Sequence, residues 1–302
     1  MLLRVTIDIF SGRENPVVEL RDKQAEEALQ RLRPAEPLEG TDADTAASDF
    51  RLGYRGLAIE QAEERTDMLP ASFRLAHGEL FGEGLAHRID DSTFEDYILE
   101  TVELERFGLG ADFREMLKTE KKNAREARDN EEARRIILPC FPLFKRILEE
   151  NKIAPCAPLY EPGWWNDGGQ RQRHNNCYNY GCNYRTDTFA QPGRAAGAMY
   201  TAITAADVKA GAVADGLIDS PYANNNPPDE GQLVALVIWP GHDFHWYRMN
   251  RNCSWSHKPG STKVTNRDNS GAKIKDPRSA DRGPYTEFAT FMVVKYGHVM
   301  LK

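Results

Sequence analysis

"DFHWYRMNRNCSWSHKP", residues Asp243–Pro259, decides how the second half of this chain folds. Two aromatic-rich runs flank Asn250, Arg251 and Asn252, which is the pattern of a β-hairpin. A three-residue turn sets Met249 opposite Cys253, and the same register sets Tyr247 opposite Trp255 and His245 opposite His257. Residues directly opposed in an antiparallel pair project from one face with Cβ atoms about 5 Å apart. Two imidazoles are therefore expected side by side, one able to act as a base while the other orients it. A slip of one residue would send one ring to the other face. Just upstream, "QLVALVIWP" (Gln232–Pro240) is a continuous apolar run of strand length, the pattern of a buried central strand.

A base needs a partner that gives up a proton. In "RQRHNNCYNYGCNYRTDTFAQPGRAAG" (Arg171–Gly197), Asn175 or Asn176 can cap a short helix that begins at Cys177. A thiol at a helix start lies near the positive end of the dipole and near free backbone N–H groups, both of which favour thiolate. The same N–H groups can stabilise an oxyanion during acyl transfer. Nucleophile, base and orienter thus occur in the order Cys177, His245, His257.

This order, together with the words "NNCYNYGC" and "FAQPG", resembles the papain-like cysteine peptidases, nearest to their bacterial cell-wall branch, in which the third residue is a histidine. The resemblance runs from about Trp164 to Phe291. It implies a nucleophile helix packed on an antiparallel sheet, with Cys177 as nucleophile, His245 as general base and His257 as orienter. Asp276 in "IKDPRSADRGPY" is the alternative third residue. Papain has a glutamine six residues before its cysteine, where this chain has Arg171, so the flanking Gln170 and Gln172 become the candidate oxyanion donors. Asn176 and Trp246 complete the expected oxyanion and substrate contacts. The implied activity is hydrolysis or acyl transfer at an amide of a peptide or protein, without a cofactor.

Upstream, "LRVTIDIF" alternates as a strand, "SGRENP" supplies turn residues and "VVEL" returns as a second strand. "RDKQAEEALQRLR" reads as a helix stopped at Pro34, and "PAEPLEGTDADTAASD" as an acidic loop. "FRLGYRGLAIE" and "ASFRLAHGELFG" read as strands, "STFEDYILETVELERFG" as a helix capped by Ser92, and "DFREMLKTEKKNAREARDNEEARRII" as a long charged helix. A Pro/Gly/Asn-rich stretch after Asn151 marks a boundary. The expected fold class is α+β, with a mixed α/β domain of unknown role over 1–150 and a papain-like thiol hydrolase domain over 151–302.

Composition fits a globular domain: 302 residues, 40% hydrophobic and 28% charged. Five scattered cysteines argue against a disulfide framework and for reduced thiols in the cytoplasm. The net charge is −7, yet 248–282 carries nine Lys/Arg against three acids, a segment that could face an acidic ligand. Few aromatics interleave with these charges, which argues against nucleic acid. No apolar run is long enough to cross a bilayer, and no phosphate-loop fingerprint occurs. Two rival readings stand beside the hydrolase: a non-catalytic binding protein that keeps the fold, and a zinc enzyme built on Cys177, Cys182, His242, His245 and Cys253.

Overall fold

Leu3, Val5 and Ile7 alternate with partly exposed Arg4 and Thr6, so the strand Leu2–Ile7 (β1) buries one full face. The structure is a computed structural model. It describes residues 1–32, 34–37, 51–63, 66, 69–76, 78–82, 85–89, 93–102, 104–107, 109, 113–119 and 157–302. The chain divides into two compact units. The first comprises Met1–Ile9, Asn15–Asp49 and Tyr54–Ile136, and the second comprises Phe10–Glu14, Phe50–Gly53 and Ile137–Lys302.

In the first unit, the described strands are β1, Val17–Arg21 (β2), Pro34–Pro37 (β3), Leu57–Glu63 (β4), Ser72–Ala76 (β5), Glu79–Gly82 (β6) and Leu85–Ile89 (β7). They form one antiparallel sheet in the order β2-β1-β4-β5-β6-β7-β3. The helices Asp22–Leu29 and Thr93–Thr101 follow their 3.6-residue apolar spacing, with Ala25, Ala28, Phe94 and Ile98 buried. Two expectations change here. The start of the acidic stretch, Pro34–Pro37, is a strand paired with β7. In "FRLGYRGLAIE" the strand begins only at Leu57, after Gly53 and Gly56 adopt positive φ. Ser92, the boundary near 150, Cys140, Cys156 and most of the long charged helix lie outside the described residues. Within them that helix spans 113–119. The polar centre of the unit is Asp8, whose carboxylate pairs with Arg55 and Arg74 at 2.7 Å each.

The second unit is built on Gln232–Trp239 (β9), every residue of which is buried, as its continuous apolar run requires. With Ile218–Asp219 (β8), Asp243–Met249 (β10), Trp255–His257 (β11) and Glu287–Val294 (β12), it makes an antiparallel sheet in the order β11-β10-β9-β12-β8. Val234, Leu236 and Ile238 of β9, with Phe244 and Trp246 of β10, form one apolar cluster with Cys177, Tyr178 and Cys182 of the helix Cys177–Cys182. Val208 and Ala212 of the helix Ala205–Ala214 join it. Gly181 makes the close approach possible, because a Cβ there would sit 3.2 Å from the Trp246 Cβ. Thus an α+β chain with two antiparallel sheets and few helices is what these residues form. No helix among the described residues is long and apolar enough to cross a membrane.

The hairpin register differs from the expected one. Met249 pairs with Trp255 and Tyr247 with His257, so the loop holds five residues, 250–254. Asn250 N–H donates to the Ser254 carbonyl, Cys253 N–H donates to the Asn250 carbonyl, and Cys253 takes φ +58°. The side chains of Asn250 and Asn252 also accept from the hydroxyls of Ser256 and Ser254, so the asparagines stabilise a wider turn than a three-residue count allows. His245 faces Val237 on β9.

Candidate active site

Asn176 starts the Cys177 helix as a complete capping box. Its Oδ1 accepts from Tyr178 and Asn179 N–H, and the Asn179 Oδ1 accepts from Asn176 N–H. Cys177 is therefore held at the first helical position with its side chain fully buried. Its thiol donates to the Phe244 carbonyl at 3.8 Å. The expected activation of the thiol by the helix start does not prevail. Burial, then the Asp243 carboxylate nearby, pushes the thiol well above its ordinary value, and its hydrogen bonds with the Trp246 backbone and Ser11, with the positive charge of Lys258, only partly offset this.

The two histidines meet despite the altered register. His257 stacks on Tyr247 with ring centroids 4.9 Å apart, and His245, two residues earlier on the same strand face, stands edge-on to both. A diagonal neighbour is still within reach of a ring. His245 Nε2 lies 2.9 Å from His257 Nδ1, and His257 Nε2 lies 2.9 Å from the Arg267 carbonyl. That carbonyl can only accept, so His257 carries its proton on Nε2 and offers the Nδ1 lone pair to His245 Nε2–H. The remaining nitrogen, His245 Nδ1, is then an acceptor, 2.9 Å from the Ser11 hydroxyl. One backbone carbonyl thus fixes both tautomers and aims a lone pair at Ser11, which also touches the Cys177 thiol. Alternation along β10 sends Phe244 and Trp246 to the Cys177 side of the sheet, and Ser11 joins the two sets of groups.

Comparison with known proteins adds one relation. Insoluble matrix shell protein 1 of Ruditapes philippinarum is 46% identical over 141 residues, covering 46% of this chain and 91% of that protein. The chain belongs to the insoluble matrix shell protein 1 family. No protein-family model matches it, and no solved structure does.

In this insoluble matrix shell protein 1 family member the other candidates fall as follows. Asp276 is bound by Arg278 at 2.6 Å in an exposed turn, so it is His257 that meets His245. Gln170 is exposed on the helix Gln170–His174, and the Gln172 side chain accepts from Gly168 N–H. The amide donors beside the site are instead Asn176 Nδ2 and Gln191 Nε2, both 2.8 Å from the Gly12 carbonyl. Trp246 is buried against Tyr178, with ring centroids 5.3 Å apart, and serves the core rather than a substrate surface. Cys182 packs in the same core, and Cys253 occupies the hairpin loop. Cys177, Cys182 and Cys253 are free thiols. Among the described residues no group of three His, Cys, Asp or Glu side chains is placed to hold a metal.

The basic segment is less of a rim than its composition suggests. Arg248 is buried, donating to the Asn183 side chain and to Tyr180 Oη, and Lys258 is fully buried as well. Lys258 Nζ donates to the carbonyls of Gln172, Asn175 and Gly260 at 2.5–2.6 Å, tying the end of β11 to the residues just before Cys177. Sequence reading missed this anchor, together with Ser11, Gln191, Asp243 and Tyr285. Of these only Gln191 carried a signal, in "FAQPG".

Proposed function

We propose that the second unit is a thiol-dependent amide hydrolase or acyl transferase of papain-like architecture, with Cys177 as nucleophile, His245 as general base and His257 as orienter. The observation that carries this reading is the directed chain of hydrogen bonds from the Arg267 carbonyl through His257 to a lone pair on His245 Nδ1. With the Ser11 hydroxyl displaced from His245 Nδ1, that nitrogen takes the thiol proton as sulfur bonds to the amide carbonyl carbon. The C–N bond then breaks as His245 gives that proton to the leaving amine. Water cleaves the thioester with His245 again as base, releasing the acid and restoring the thiol; an amine in place of water makes the step a transfer. Asn176 and Gln191 supply side-chain N–H donors for the oxyanion. The substrate is a peptide or protein, and the exposed part of 248–282 would face acidic groups on it.

The test is a mass-spectrometric search for an acyl adduct on Cys177 after incubation with peptide pools. An adduct and cleavage products that vanish in Cys177→Ala and His245→Ala support the reading. Turnover that survives in Cys177→Ala overturns it.

A second reading is a non-catalytic matrix or binding protein. It is favoured by the complete burial of Cys177, whose thiol is held protonated, and by the shell-matrix name of the relative. It predicts no adduct even when Cys177 is reachable by small electrophiles.

A further inference from the structure

The segment Phe10–Glu14 belongs to the second unit although the residues on either side of it belong to the first. Its sequence, "FSGRE", reads as an ordinary turn, yet its backbone is held more closely than a turn requires. The Asp243 carboxylate accepts from three successive N–H groups: Ser11 at 2.6 Å, Gly12 at 3.1 Å and Arg13 at 3.0 Å. The Gly12 carbonyl accepts from Asn176 Nδ2 and Gln191 Nε2. The Ser11 hydroxyl meets His245 Nδ1 and Tyr285 Oη at 2.9 Å each, and Arg13 donates to the His242 carbonyl at 2.6 Å. Glycine is required at the centre, because a Cβ on Gly12 would lie 2.5 Å from the Phe244 ring and 2.6 Å from the Phe244 carbonyl oxygen. Phe10 closes one end against Trp239.

These contacts are those of a bound peptide. Two side-chain amides hold its carbonyl, one carboxylate holds its N–H groups, and its hydroxyl takes the lone pair of the proposed base. Cys177, His245 and His257 are all fully buried, with Ser11 seated on His245 and against the Cys177 thiol. We infer that Phe10–Glu14 is an internal occupant of a peptide-binding cleft, a latch that keeps the Cys177–His245 site closed until it leaves. The ligand class that competes with it is a peptide with glycine at the Gly12 position, recognised mainly through its backbone. What the opened site does rests on the hydrolase reading above; the latch itself is judged by access alone.

The experiment is iodoacetamide labelling of the full chain, read at each cysteine by peptide mapping, with Cys182 as the internal control for general loosening because it shares the core with Cys177. In the native chain Cys177 labels far more slowly than Cys253. Gly12→Val should accelerate Cys177 by at least about tenfold and leave Cys182 unchanged. The peptide Phe-Ser-Gly-Arg-Glu, blocked at both ends and added in trans, should restore protection. Ser11→Ala and Arg13→Ala, which keep the fit of Gly12, should show the same selectivity with smaller effects, so the result does not depend on one crowded variant. Acceleration of Cys177 and Cys182 together in these milder variants, or none at Cys177 in any variant, overturns the latch. Selective opening without any acyl adduct from peptides leaves the latch standing and removes the hydrolase.

Discussion

Nε2 of His245 stands 2.9 Å from Nδ1 of His257, although the sheet pairs His257 with Tyr247 and His245 with Val237. The contact is diagonal, and the Arg267 carbonyl behind it decides where the protons sit. Both rings are expected to be neutral Nε2–H tautomers with bare Nδ1 atoms. Long-range 1H–15N correlation spectra of the native protein check this directly, and a protonated Nδ1 on His245 would refute the assignment. In an active preparation, His257→Ala should lower kcat by about 100-fold with little change in KM. His257→Asn, whose amide oxygen can still accept from His245, should recover part of that loss.

The pH dependence of the first unit follows from Asp8. Burial alone would raise its carboxyl, but Arg55 and Arg74 outweigh burial and hold it well below the usual carboxylate range. A carboxyl depressed in the folded state contributes stability that is complete above the unfolded value near 4 and is lost as pH falls below it. Thermal denaturation followed at intervals from pH 6 to pH 2 should therefore show Tm falling on the acid side. Asp8→Asn should flatten that acid limb and cost about 3 kcal/mol at neutral pH, because Arg55 is left buried without its carboxylate. An unchanged acid limb in the variant would assign the effect to other carboxylates.

Lys258 tests how the helix before Cys177 is held. Its ammonium serves three backbone carbonyls, two of them in buried contacts, and no other residue type offers three donors from one point at that reach. Lys258→Met keeps the apolar stem and leaves those oxygens without their donor, so a loss of about 2–4 kcal/mol is expected in denaturant unfolding. A loss below about 0.5 kcal/mol, the size of an ordinary surface change, would show that the carbonyls find other partners.

How much of this was legible in the sequence depended on whether the signal was local. β9 announced itself because both of its faces are buried, and the Cys177 helix because Asn176 is a strong cap. The hairpin was legible as a hairpin but not in register. Strand residues on either side of Asn250–Ser254 fit two pairings, and the bonds of the Asn250 and Asn252 side chains to Ser254 and Ser256 decided for the wider loop. The thiol environment was misjudged for a related reason: a helix start is a local feature, whereas burial is the sum of everything packed around it. Lys258 read as one more charge in a basic run because two of its three carbonyl partners lie more than 80 residues away. Ser11 and Gly12 were invisible as site residues, since a turn-forming "SGRENP" looks the same whether solvent or Asp243 receives its N–H groups.

Tyr247 gives the last test, because its ring and its hydroxyl do different work. The ring stacks on His257 and stands edge-on to His245, so it helps to set the angle between the imidazoles. The hydroxyl is buried with no hydrogen-bond partner among the described residues, and burial pushes its ionisation well above the ordinary phenol range. A buried hydroxyl without a partner costs stability, and removing it relieves that cost. Tyr247→Phe is therefore expected to keep the histidine spectra unchanged and to leave stability equal or higher by about 1 kcal/mol. Tyr247→Leu, which loses the stacked ring, should lower Tm and shift the His257 ring signals. If Tyr247→Phe is instead the destabilised variant, the hydroxyl is bound in solution by a buried water, and ordered-water exchange measurements at that position would locate it.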